Sequence, residues 1–192
     1  MKILGICGSS RKRGNTASII GRILEGAKSA NEATETELIF LNDYDLKSCT
    51  GCEGCAKSFS CVIRDDYAKI IEKFDEADAI VIGSPTYWYN VTGQMKLFID
   101  RCYSLISYPE GQRKIWTSKY QDLGKKVVTV AVCEQEEESM MGFTSQTLVM
   151  VMKDLDLELI REIKVLHYFE AGSVKGDADL LDDAFDMGRQ LS

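Results

Sequence analysis

Apolar positions along this chain alternate between two periods. Lys2–Cys7 is a short β-rich run, and Asn15–Ala30 carries Ile19, Ile20, Ile23, Leu24 and Ala27 at the spacing of one helical face. Thr36–Leu41 predicts a second strand. Asp66–Glu76 returns to the helical period with Ile70, Ile71 and Phe74, and Ala79–Gly83 is a continuous apolar strand. Thr92–Ile106 sets Met95, Phe98, Ile99 and Cys102 on one helical face. Lys126–Cys133 is Val-rich with little alternation, as expected of a strand buried on both faces. A helix over Phe143–Leu157, a strand over Leu159–Leu166 and a helix over Asp177–Leu191 complete the pattern. Five strands, each followed by a helix, predict an open α/β sheet, mostly parallel, with right-handed crossovers.

Two long connections interrupt this rhythm, residues 42–65 and 107–123. Structureless stretches of that length in compact domains are usually functional. The first holds a cluster of cysteines. The second bears Tyr, Trp and Lys side chains and suits a lid or an oligomer contact. The only prolines are Pro85 and Pro109, and no Pro- or Ser-rich linker divides residues 1–192, so a single domain is expected.

Charge narrows the function classes. With 23 Lys and Arg against 30 Asp and Glu, the net charge is −7, which argues against a nucleic-acid or anionic-membrane partner. The longest apolar run, Leu148–Met152, is far short of the roughly 20 residues that cross a bilayer. The run after Met1-Lys2 is too short for a signal peptide, so a cytoplasmic location is expected. The seven cysteines are then ligands, redox groups or buried apolar residues rather than disulfides. A single histidine makes His-rich metal sites and Ser-His or Cys-His catalysis poor first choices.

Three stretches carry candidate chemistry. The first strand runs into Gly8-Ser9-Ser10-Arg11-Lys12-Arg13-Gly14-Asn15-Thr16 and then a helix. Hydroxyls, basic side chains and a helix N-terminus at one strand end make an anion site. The stretch is neither Walker A nor Gly-x-Gly-x-x-Gly. Its plainer interpretation is a polar turn with Asn15 as the helix N-cap. The third strand ends in Ser84-Pro85-Thr86-Tyr87-Trp88-Tyr89-Asn90. Three consecutive aromatics past a buried strand lie where open α/β sheets bind ligands, and they suit a flat heteroaromatic ring; a dimer patch is the competing explanation.

Cys49, Cys52, Cys55 and Cys61 have the spacing C-x2-C-x2-C-x5-C. Iron–sulfur clusters favour such compact runs, although the ferredoxin form ends with a gap of three and a proline. A four-thiolate zinc site and a redox dithiol at Cys49–Cys52 or Cys52–Cys55 are the alternatives, with unliganded thiols the plainest. Cys7 and Cys102 lie on apolar faces and are expected in the core. Cys133 ends a central strand, where core packing and ring contact are equally open. Asp65-Asp66 is expected to start a helix, favoured there by the dipole. His167 is assigned no role.

The set Gly8-Ser9-Ser10-Arg11, Gly14-Asn15-Thr16, Ser84-Pro85-Thr86-Tyr87-Trp88 and Met95-Lys96 with Phe98-Ile99-Asp100-Arg101 resembles the flavodoxin-like NADPH-dependent FMN reductase family, closest to its iron–sulfur flavoproteins. The resemblance covers roughly residues 1–105 by motif and the remainder by strand–helix pattern. It implies a flavodoxin-like three-layer sandwich, a five-stranded parallel sheet of order 2-1-3-4-5, with FMN at the switch point. Ser9, Ser10, Arg11, Asn15 and Thr16 would then surround the FMN phosphate, and Pro85, Thr86, Tyr87, Trp88 and Asn90 the isoalloxazine ring. The cysteine loop would hold a [4Fe–4S] cluster at Cys49, Cys52, Cys55 and Cys61, on the same sheet edge as the flavin. One departure stands out. Many members have a glycine-rich segment after the fourth strand, whereas here Cys133–Glu138 contains no glycine and four acids.

Two activities follow from the resemblance. In one, FMN takes a hydride from NADPH or NADH and passes electrons to a small-molecule acceptor. In the other, the protein is an electron carrier fed by ferredoxin without NAD(P)H turnover. A binding module that kept the fold and lost turnover is a third. The family also implies a homodimer or homotetramer.

Overall fold

The computed structural model describes residues 1–56 and 58–192. In chain order the elements are β1 (Lys2–Cys7), α1 (Asn15–Ala30), β2 (Glu35–Phe40), α2 (Tyr67–Glu76), β3 (Ala79–Pro85), α3 (Gly93–Arg101), β4 (Ile106–Ser107), β5 (Thr117–Ser118), β6 (Lys126–Val132), α4 (Thr144–Asp154), β7 (Glu158–Val165) and α5 (Ala178–Leu191). Five of the strands form one sheet of order β2-β1-β3-β6-β7, all neighbours parallel. Without the two-residue pair β4–β5, this is the expected order 2-1-3-4-5.

The sheet's chemistry follows its layers. β3 is buried from Ala79 to Ser84 and β6 from Val127 to Val132, because helices cover both faces there. The outer strands β2 and β7 alternate burial and carry charged residues, which keep a sheet edge from pairing with another chain. Alternate residues of each inner strand face opposite ways. Leu4, Ile6, Ile80 and Ile82 pack with Ile70, Phe74, Met95, Phe98, Leu148 and Met152 from α2, α3 and α4. Ile3, Cys7, Val81, Val128 and Val130 pack with Ile19, Ile20, Ile23, Met187 and Leu191 from α1 and α5.

The crossing of α1 with α5 is close because both helices present glycine there. A Cβ on Gly26 would stand 1.9 Å from the Phe185 carbonyl oxygen, and one on Gly188 would stand 1.9 Å from that of Ile23. Backbone therefore rests on backbone at this point.

Two expected elements are corrected. The helix expected over Thr92–Ile106 stops at Arg101, tightens into a 3-10 turn over Cys102–Leu105 and then enters β4. The Leu105 carbonyl is taken by the Lys119 amide at 2.8 Å, beside the antiparallel pairing of β4 with β5. The stretch 107–123 is thus partly a short hairpin rather than wholly irregular. No helix among the described residues is long and apolar enough to cross a membrane.

Candidate functional site

The turn after β1 is built by its own backbone. The Arg11 amide donates to Ser9 Oγ at 3.2 Å, and the Gly14 amide donates to the Arg11 carbonyl at 2.8 Å. Helix α1 then begins at Asn15, with Gly14 at the N-cap and no side chain capping it. Its first N–H groups are therefore left for a ligand, and the helix dipole favours an anion there. Ser9, Arg11, Gly14, Asn15 and Thr16 all line the adjoining cavity. Ser10 does not.

Asn15 is not the N-cap, and its polar atoms are occupied. Its Nδ2 donates to the carbonyls of Tyr168 and Glu170 at 3.2 and 3.0 Å, while Oδ1 accepts from the Val174 amide at 3.3 Å. Arg11 Nη1 donates to the Phe169 carbonyl at 2.9 Å, and its guanidinium lies 5.3 Å from that ring's centroid. The first turn thereby holds the connection between β7 and α5, which forms a third wall of the cavity.

The second wall follows β3. The Tyr87 amide donates to the Asn90 carbonyl at 2.8 Å and the Asn90 amide to Tyr87 at 3.2 Å, closing a two-residue turn. Trp88 and Tyr89 both have positive φ, 48° and 63°, the pattern of a type I′ turn. For residues with a Cβ, this backbone costs roughly 1–2 kcal/mol each. Such strain persists where surrounding contacts enforce it. Here the Phe143 amide grips the Tyr89 carbonyl at 2.7 Å. Gly142, with φ 58°, lets that segment approach, since a Cβ on it would stand 2.4 Å from the Tyr89 carbonyl oxygen. The glycine absent from 133–138 is thus found four residues later, bracing the aromatic turn. Asn90 Oδ1 accepts from the Val91 amide at 2.8 Å and from Thr147 Oγ1 at 3.3 Å. Asn90 therefore builds the turn and lies outside the cavity lining.

Between these walls lies a cavity of about 580 Å³. Pro85, Thr86, Tyr87 and Trp88 line it, with Trp88 93% exposed at its mouth. Thr86 Oγ1 is buried without a hydrogen-bond partner, as are those of Thr34, Thr129 and Thr144 elsewhere. An uncapped helix N-terminus and aromatic faces around one cavity fit a flat ring joined to a phosphate, and so fit FMN. Cys133, Glu134, Gln135 and Met140 from the segment after β6 also line the cavity, as do Tyr168 and Phe169 after β7. The last two escaped the sequence reading. Their signal is the one that marked Tyr87-Trp88-Tyr89, an aromatic run just past a strand's carboxyl end.

The four loop cysteines are not part of that lining. Cys49, Cys52, Cys55 and Cys61 surround a separate cavity of about 20 Å³, little more than one water's space. Although the loop leaves β2 at the carboxyl edge, its cysteines pack beside Arg101, Tyr103 and Ser104. Among the described residues, no three His, Cys, Asp or Glu side chains converge closely enough to hold a metal ion. The donor set nonetheless suits a thiophilic centre. The lining's one carboxylate, Glu53, is engaged by Arg113 at 2.5 Å and by the Tyr108 hydroxyl at 3.4 Å. The Gly54 amide and the Thr50 hydroxyl draw the Cys52 thiol below its ordinary pKa, whereas burial raises that of Cys55. Burial pushes Cys7 up to about 11 and Cys102 up to about 12, as expected of inert core thiols.

Asp65 and Asp66 divide their roles. Asp66 is the N-cap residue of α2 but makes no side-chain cap bond. Asp65 accepts from the Tyr67 amide at 3.1 Å and pairs with Arg101, both side chains fully buried. Burial alone would raise the Asp65 carboxyl; hydrogen bonds from Arg101 and from the Lys47 and Tyr67 amides outweigh it and hold the carboxyl below its ordinary range. His167 is exposed, with φ 72°.

The sequence family of NADPH-dependent FMN reductases matches residues 1–154. The chain belongs to this family. An iron–sulfur flavoprotein of Archaeoglobus fulgidus is 50% identical over 101 residues, which are 53% of this chain and 48% of that protein. Another from the same organism is 37% identical over 137 residues, 71% of this chain and 58% of that protein. The matched region thus spans about half the length of these curated relatives. A flavodoxin from the domain Archaea shares the fold, with a TM-score of 0.61 at 16% identity over all of this chain and 96% of that one.

Proposed function

We propose that this NADPH-dependent FMN reductase family member is an oxidoreductase that binds FMN in the 580 Å³ cavity and passes electrons from NADPH or NADH to a small-molecule acceptor. The observation that carries this is one cavity shared by the uncapped N-terminus of α1 and the aromatic turn after β3. Bound FMN supplies the hydride and single-electron chemistry; no side chain of the cavity has to react. The first N–H groups of α1, with Ser9, Arg11 and Thr16, receive the phosphate. Thr86 and Pro85 wall the ring on the β3 side. Tyr87, Tyr168 and Phe169 flank the ring and exclude water, and Trp88 stands at the mouth. Glu134 brings negative charge to the lining and disfavours further negative charge beside it.

The same proposal assigns Cys49, Cys52, Cys55 and Cys61 to a [4Fe–4S] cluster, which would supply one-electron transfer. Four thiols about one cavity support this assignment. They also favour a second reading, an electron carrier fed by a protein donor such as ferredoxin, because Cys49 and Cys52 are exposed to a partner. The test is anaerobic purification with iron, sulfide and flavin quantified together, followed by NADPH and NADH oxidation. Bound flavin with rapid NAD(P)H oxidation supports the reductase. Intact iron with negligible NAD(P)H oxidation favours the carrier. A chain that binds no FMN defeats both. Assembly as a homodimer or homotetramer belongs to the same proposal, since Trp88, Phe143 and Phe169 are exposed aromatics; light scattering tests it.

A further inference from the structure

Arg101 is 1% exposed, at the C-terminal end of α3. A guanidinium has five N–H donors, and here all five are used. Two go to Asp65, at 2.6 and 3.1 Å, one to the Lys47 carbonyl at 3.0 Å, one to the Ile63 carbonyl at 3.3 Å, and Nε donates to Cys61 Sγ at 3.2 Å. Every partner belongs to the stretch from Lys47 to Asp65. Lys47 precedes the first cysteine of the loop and Ile63 follows the last, so a single side chain draws the two ends of the cysteine loop together. Asp65 reinforces the closure by accepting from the Lys47 amide at 2.8 Å. The Tyr67 ring lies 4.5 Å from the guanidinium carbon, and its hydroxyl donates to the Arg101 carbonyl at 2.9 Å.

Stability does not explain this arrangement. Burying an ion pair strips water from both ions, and well-packed apolar pairs often do as well. What an apolar pair cannot supply is an N–H on sulfur, with the cationic end of the ion pair toward it and Asp65 on the far nitrogens. Hydrogen bonds to ligand sulfurs and nearby charge are the levers by which a protein tunes a thiolate-bound centre. Positive charge favours the state with more electrons and so raises the reduction potential.

We infer that Arg101 is the positioning residue of the cysteine loop, holding Cys61 Sγ in place through Nε and raising the reduction potential of the centre bound there. The inference rests on the cluster assignment proposed above. Arg101 and Asp65 lie outside the lining of the FMN cavity, so flavin binding serves as an independent control.

The test compares three proteins loaded anaerobically with iron and sulfide: the wild type, Arg101→Lys, and Arg101→Gln combined with Asp65→Asn. The paired variant leaves no orphaned charge. Iron and sulfide content, the rate of iron loss to a chelator and the midpoint potential are read beside thermal melting and FMN titration. The paired variant is expected to hold iron about 10–100-fold more weakly, read as faster loss to the chelator, as removal of hydrogen bonds to metal ligands typically does. Its potential is expected to be more negative, with Arg101→Lys intermediate because it keeps the charge. A folded, FMN-binding paired variant with wild-type potential and iron loss overturns the inference. If the paired variant does not fold, Arg101→Lys decides, and wild-type values in it overturn the inference equally. A wild type that takes up no iron defeats the cluster assignment itself and this inference with it, while leaving the FMN titration standing.

Discussion

The side-chain amide of Asn15 donates to the Tyr168 carbonyl at 3.2 Å, tying the start of α1 to the far wall of the cavity. With its bonds to Glu170 and Val174, this one side chain fixes the backbone on both sides of Phe169. Asn15→Ala removes all three bonds and frees that wall. Each hydrogen bond is worth about 0.5–1.5 kcal/mol net, so these three, two of them only part-buried, are together worth about 1–3 kcal/mol. FMN affinity is expected to fall about 5- to 100-fold, because each 1.4 kcal/mol is tenfold. Flavin fluorescence titration measures it, and unchanged affinity would remove Asn15 from the site's construction.

Arg11 joins the same wall to the anion site, since one guanidinium nitrogen holds the Phe169 carbonyl at 2.9 Å. Arg11→Gln keeps a donor and removes the charge. FMN is expected to bind about tenfold more weakly, and riboflavin, which lacks the phosphate, is expected to bind as before. The wild-type preference for FMN over riboflavin should also shrink as salt is raised, because exposed charges are screened. Equal losses for both flavins would place Arg11 away from the phosphate.

The backbone contact of α1 with α5 makes a stability prediction that ignores the ligand. Gly188→Ala drives a methyl into the Ile23 carbonyl, 1.9 Å away, and forces the helices apart. Overpacking typically costs about 1–3 kcal/mol. In a chain of this size that lowers Tm by about 2–12 °C. Gly21→Ala is the matching control, because a Cβ there meets nothing within 4 Å. It is expected to be neutral or to stabilise by about 0.5–1 kcal/mol, the ordinary gain of alanine over glycine inside a helix. Equal melting of the two variants would show that the helices do not meet as closely as the structure has them.

Asp177 caps α5 by accepting from the Leu180 amide at 3.0 Å, and it accepts from the Tyr168 hydroxyl at 2.5 Å. The tyrosine hydroxyl first, and the Leu180 amide second, hold its carboxyl below the usual value. A depressed folded pKa means that the unfolded chain takes up the proton more readily. The stabilisation is therefore complete above the unfolded carboxyl pKa, about 3.9, and disappears as pH falls through the lower folded value. Urea melts from pH 7 to pH 2 are expected to show the wild type more stable than Asp177→Asn at neutral pH, with the gap closing below about pH 4. A gap independent of pH would mean that the carboxylate's charge contributes nothing.

How much of this was legible in the sequence depends on the range of the forces involved. α1 runs over Asn15–Ala30 as its apolar spacing predicted, and β6 covers the Val-rich run, because burial on fixed faces leaves a periodic trace. The end of α3 left no such trace. Apolar positions continue through Leu105 and Ile106, but the pairing with residues 117–119 interrupts the helix, and periodicity cannot register a contact so distant in sequence. The site divides the same way. Ser9, Arg11, Thr16, Pro85, Thr86, Tyr87 and Trp88 line the cavity and lie beside strand ends, where the chain pattern points. Ser10 and Asn90 lie outside it, and Asn15 spends its polar atoms on backbone. Tyr168 and Phe169 sit about 80 residues after the aromatic turn and join it only because the sheet places the two loops together. Arg101 was visible only as the last residue of a family motif, since nothing local distinguishes a fully buried arginine from a surface one.

The two ends of α3 grip different sites. At its start, Thr92 Oγ1 donates to the Gly8 carbonyl at 2.7 Å and the Thr92 amide donates to Ser84 Oγ at 3.0 Å, both in the base of the cavity loops. At its end, Arg101 grips the cysteine loop. Arg101 is the ninth residue after Thr92, a rise of about 13 Å along the helix. The helix is therefore a ruler, and its length sets the phase of Arg101 as well as its reach. One residue inserted between Thr92 and Arg101 would turn that guanidinium about 100° around the helix axis while leaving Thr92 seated. The cavity would keep its shape and the cysteine loop would lose its clasp, which makes the residue count of α3 as much a functional constraint as any side chain on it.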